Sequence, residues 1–157
     1  MNPFAIAHPS AGLQRLLLTL WVGAMWAIGY LAAPVLFGQL DSRMQAGAIA
    51  GILFTRVSWI GLVSGALILL LQLRSGRAGL DRIGVGCVLV MLVITAVGQF
   101  GIQPVMEGLK AQAGVGVEMS GALRERFALW HGVSSSLYLL ASLFGALAIW
   151  RSVRARD

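Results

Sequence analysis

Acidic side chains are scarce in this chain, and none falls inside its long apolar runs. Six Asp and Glu residues stand against twelve Lys and Arg. Asp41, Asp81, Glu107, Glu118, Glu125 and Asp157 all sit between or beyond those runs. A proton or cation relay through a membrane needs carboxylates within the spans, so that class is excluded. Cysteine is nearly absent too: Cys87 stands alone, which rules out an intrachain disulfide and leaves it as a small buried apolar residue. Two histidines, His8 and His131, fall short of the three or four ligands of a usual metal site. There is no Cys-x-x-Cys-His haem attachment motif, P-loop, Gly-x-Ser-x-Gly elbow or paired carboxylate within a span. No catalytic motif remains, and the sequence predicts a protein that is not an enzyme.

What the chain has is hydrophobicity. Of 157 residues, 58% are hydrophobic and 11% charged, far from the balance of soluble domains. Leu16–Phe37, Ile83–Met106 and Phe127–Trp150 carry no charge, and Met44–Leu73 carries only Arg56. Each meets the roughly 20 residues needed to cross a hydrocarbon core. The fold class is therefore all-α: an integral membrane four-helix transmembrane bundle, one domain over 1–157. Its helices are expected at about 16–37, 44–73, 83–104 and 127–150, with an extramembrane loop at 105–126. The first run exceeds the core of a cleavable signal and is expected to stay as an anchor.

The net charge of +6 raises nucleic acid as a partner, but the basic residues lie at helix ends without interleaved aromatics. Nucleic-acid binding is therefore not expected, and the bilayer is the first partner. Arg15, Arg74, Arg77, Arg82, Arg151, Arg154 and Arg156 would share one side. Arg43, Lys110, Arg124 and Arg126 would share the other. The positive-inside rule then predicts cytoplasmic termini in an inner (plasma) membrane.

Asp41-Ser42 reads as the N-cap of the second helix, and Ser120 as that of the fourth. Arg74–Arg82 reads as a tight basic turn with Gly76 and Gly79. Glu107–Gln112 reads as a short amphipathic helix and Gly114-Val115-Gly116 as a break. Pro34 and Pro104 read as helix terminators. Small residues four apart at Gly47/Gly51, Gly61/Gly65 and Ala141/Gly145 predict close backbone packing, within the chain, in a homo-oligomer or against another membrane protein.

Counting at about 1.5 Å per residue from the basic ends puts Arg56, Gln99, Gln103 and His131 at one level, some 24–30 Å up. Thr95, Gln99 and Gln103 share one face. His131, Ser135, Tyr138 and Ser142 share another, with Ser134 beside them. Both stripes are expected to face inward. Three readings of this outer polar cluster stand: a structural rim of snorkelling and bridging side chains, a shallow small-molecule pocket, or a metal or haem site using His131.

Several stretches carry a family resemblance. They are Leu20-Trp21-Val22-Gly23, Ala33-Pro34-Val35-Leu36-Phe37, Ala46 to Phe54 with Gly47 and Gly51, Pro104, and Arg126-Phe127-Ala128-Leu129-Trp130-His131-Gly132-Val133-Ser134. In order and spacing they resemble the bacterial branch of the family similar to transmembrane protein 205, also called domain of unknown function 4149. The resemblance covers about residues 13–150. It implies a small four-helix membrane protein with no established activity and no assigned cofactor. It also implies distant similarity to copper-resistance D-like membrane domains, some of which bind haem or copper through more histidines than this chain has. The positions it singles out are His131, Gly132 and Ser134, with Arg56 following the Phe54 motif.

Overall fold

The computed structural model describes residues 9–75, 80–114 and 119–154. They form four long helices with no strand among them. The first, α1, runs as α-helix Pro9–Trp26, a π-helical turn Ala27–Ala32 and α-helix Ala33–Gln39. The second, α2, is Arg43–Ser75. The third, α3, is Arg82–Ala96, a π turn Val97–Ile102 and Gln103–Ala113. The fourth, α4, is Gly121–Arg154. All four are long and apolar enough to cross a membrane.

The helices outrun the apolar segments that predict them. A helix ends where its backbone is stopped, not where its side chains become polar. Helix α3 therefore continues into the expected loop as far as Ala113 and stops at Gly114, whose φ of 85° suits a residue without Cβ. The amphipathic piece from Glu107 is its last two turns. Helix α4 starts at Gly121, inside the same expected loop. Ser42 Oγ accepts from Gln45 N at 3.3 Å, the predicted cap of α2. The turn glycines Gly76 and Gly79 lie outside the described residues, as does Val115-Gly116.

Neither Pro34 nor Pro104 terminates its helix. Proline removes one backbone donor, and its ring presses on the carbonyl four residues back. Here the preceding turn widens: Ala33 N bonds Ile28 O and Gln103 N bonds Gly98 O, each five residues back. The extra residue in the turn relieves the clash, and the helix resumes.

These two interruptions belong to an internal two-fold pattern. The π turns and their prolines recur seventy residues apart. On the turns, Tyr30 meets Tyr138 of α4 edge-on at 6.3 Å, and Phe100 meets Trp59 of α2 at 5.9 Å. Towards the arginine-rich end, Gly65 of α2 receives Trp21 of α1 and Leu92 of α3. Gly145 of α4 receives Val22 of α1 and Met91 of α3. Exchanging α1 with α3 and α2 with α4 maps each set onto the other. The bundle is two copies of one helical hairpin closed into a ring, in which each helix touches the next.

The core lies in the half nearer the arginine-rich end. Leu18, Trp21, Val22 and Met25 pack there on Val57, Ile68, Cys87, Val88, Met91, Ala141 and Ala148. Lipid is as apolar as these side chains, so close contact and not water exclusion holds them. Five residues of α4 between Ala141 and Ser152 are buried, whereas none from Gly121 to Leu140 is.

Candidate functional site

The outer polar residues are spread over α2, α3 and α4. Phe54 packs edge-on against Tyr138 at 5.3 Å, so it faces inward. Arg56, two residues on, is turned about 200° from it and is exposed. Gln99 is half-buried on the π turn of α3. Gln103 Nε2 donates to Glu107 Oε1 at 3.3 Å, and Lys110 Nζ pairs with the same oxygen at 2.9 Å, all within α3. His131 is exposed, its ring stacked parallel on Phe127 with centroids 6.2 Å apart. Ser134 is half-buried and Ser135 exposed. Among the described residues no hydrogen bond or ion pair joins Arg56, Gln99, Gln103 and His131 to one another.

The deeper half of the α4 stripe does face inward. Tyr138 Oη donates to Met25 O at 2.5 Å, and Trp26 Nε1 donates to Ser142 Oγ at 2.6 Å. Both bonds tie α1 to α4. Thr95 Oγ1 instead returns to Met91 O, 2.8 Å away on its own helix. Polar groups in lipid are satisfied internally, and these three are.

Three of the family-motif positions, Trp21, Gly47 and Gly51, lie at close contacts. Trp21 is buried over Gly61 and Gly65, which only a side chain of no size admits. Gly47 lies near the Phe37 ring, and Gly51 near Lys110 Nζ. A Cβ on Gly23 or Gly132 would meet nothing within 4 Å.

The densest polar arrangement is at the arginine-rich end, and sequence reasoning missed it. Asp81 caps α3 by accepting from Gly84 N at 2.8 Å through Oδ1. Its Oδ2 accepts from Arg151 Nε at 2.8 Å and from Arg151 Nη2, binding α3 to the end of α4. The Arg151 guanidinium, then the Gly84 amide, hold the Asp81 carboxyl below the usual carboxylate range, against the opposing effect of burial. Gln72 of α2 grips Leu80 twice, accepting from its N–H at 3.1 Å and donating to its carbonyl at 2.9 Å. Gln14 of α1 is buried with neither amide atom bonded among the described residues. The available signal was Asp81 itself, a single acid among arginines directly before an apolar run.

Among the described residues no three His, Cys, Asp or Glu side chains group together, and the exposed His131 ring stacks on Phe127. His8 lies outside the described residues.

Four membrane-length helices, closed by small-residue contacts and inter-helix hydrogen bonds, define a multi-pass integral membrane protein. The chain belongs to the family described as a domain of unknown function, DUF4149, which matches residues 16–114. No curated protein and no solved structure matches it. The matched region takes in both π turns and both prolines, and stops before α4.

Proposed function

We propose that this chain is a non-catalytic accessory subunit of the inner membrane, its termini cytoplasmic, which docks another membrane protein along the outer half of α4. The supporting observation is the lack of any buried residue from Gly121 to Leu140, a stretch that carries His131, Ser134 and Ser135. Ser135 lies about 22 Å above Trp150 along the helix, within the hydrocarbon. Polar groups facing lipid at that depth gain by bonding to a neighbouring helix instead. The deeper polar groups of the α4 stripe, Tyr138 and Ser142, are already consumed in internal bonds, which favours association over catalysis or a small-molecule pocket.

The test is thiol accessibility, with Cys87 replaced by Ala. Ser135→Cys is expected to react with a membrane-permeant maleimide several-fold more slowly in native membranes than after purification. Leu143→Cys, exposed to lipid on the packed half of the same helix, is expected to react equally in both. Equal rates for Ser135→Cys before and after purification would contradict docking.

A further inference from the structure

A groove of about 360 Å³ runs along the outside of α1 and α4, lined by Trp26, Ala146, Ile149, Trp150, Val153 and Arg154. Its walls are apolar except at one end. There the Arg154 guanidinium lies 4.7 Å over the Trp150 ring, and no carboxylate pairs with it among the described residues. At the other end Trp26 turns its N–H inward to Ser142 and leaves its ring to the groove. From Ser142 to Arg154 the helix rises about 18 Å, roughly the depth of one leaflet.

We propose that this groove holds one acyl chain of an anionic phospholipid, with the lipid phosphate bound by Arg154 above Trp150. Length and charge argue for this occupant together. The apolar channel reaches from the mid-plane to the interface, and it ends on a cation whose planar donors match phosphate oxygens. Trp150 fixes that cation and forms one wall of the chain site.

The two-fold pattern supplies the internal control. The counterpart face on α3 and α2 carries Ala96, Ala66, Leu69, Leu70, Leu73 and Arg74 at the matching positions. It keeps the arginine but has neither tryptophan. Generic attraction of arginines to an anionic surface would treat Arg74 and Arg154 alike, whereas a built site would not. The inference stands apart from docking by the outer half of α4.

The experiment is native mass spectrometry of the full chain in detergent, titrated with phosphatidylglycerol or phosphatidylcholine. One phosphatidylglycerol is expected to be retained in preference to phosphatidylcholine. Arg154→Gln is expected to cut that preference about fivefold, the value of one interfacial cation. Arg74→Gln should leave it unchanged, and Ala146→Phe, which fills the groove, should abolish the one-lipid adduct. Inorganic phosphate should not compete, since it lacks the chain. Equal losses from Arg74→Gln and Arg154→Gln would overturn the proposal. So would a retained adduct in Ala146→Phe, or displacement of the lipid by phosphate.

Discussion

Gly65→Leu is expected to cost the bundle a three-helix close contact and to lower its stability by about 1–3 kcal/mol, towards the upper end. A Cβ at Gly65 would lie 2.6 Å from Leu92 Cδ2 and 2.8 Å from Trp21 Cζ3. Both neighbours belong to other helices, so relieving one clash by moving α2 worsens the other. Packing density is what holds helices together in lipid, and the rest of the core inherits the displacement. Gly23→Ala is the matched control, because nothing lies within 4 Å of its Cβ. There the helix is expected to gain up to about 1 kcal/mol from reduced backbone freedom. Unfolding in mixed detergent, followed by tryptophan fluorescence, separates the two. Equal midpoints for Gly65→Leu and wild type would remove the interlocking contact from the account.

The second large effect is expected at Asp81. Asp81→Ala removes the cap of α3, worth about 1 kcal/mol, and leaves Arg151 without its carboxylate. Arg151→Asp is expected to be worse, placing two carboxylates where α3 meets α4. The exchanged pair Asp81→Arg with Arg151→Asp should recover the ion pair while still lacking the cap. The pair also sets a pH dependence. Asp81 holds its proton less tightly in the folded bundle than an unfolded aspartate, near 3.9, would. Its contribution is therefore complete above that value and declines as the pH falls through the lower folded range. Asp81→Asn should flatten this part of the acid unfolding profile, read by the same fluorescence midpoint. An unchanged profile would show that another carboxylate sets it.

How much was legible in advance differs between fold and site for a physical reason. Apolar length and flanking charge are local, so four spans could be read from Leu16–Phe37, Met44–Leu73, Ile83–Met106 and Phe127–Trp150. Helix ends could not, because the apolar run stops at Met106 while the backbone of α3 continues to Ala113. Pro34 and Pro104 misled for a related reason. The rule that proline ends a helix assumes a four-residue hydrogen-bond frame, and both helices shift to five residues just before it. At the site, counting residues estimates depth but not direction. Arg56 follows the inward-facing Phe54 by two residues and is exposed. The spacing that grouped His131 with Tyr138 and Ser142 describes one helix stripe. The stripe changes character along its length because the fully buried residues of α4 are confined to its inner half. Asp81 and Arg151 are separated by seventy residues, and nothing local marks either as the other's partner.

The central proposal is that the outer half of α4 is covered by protein in the membrane, and a photo-crosslinking amino acid tests it most directly. It is placed in turn at His131 and at Leu143, which is 60% exposed on the packed half of the same helix. In native membranes the probe at His131 is expected to give one discrete protein adduct. Its mass would distinguish a second copy of this chain from a different membrane protein. The probe at Leu143 is expected to give lipid adducts alone. If both positions yield only lipid adducts, the outer half of α4 faces the bilayer and the docking proposal is contradicted.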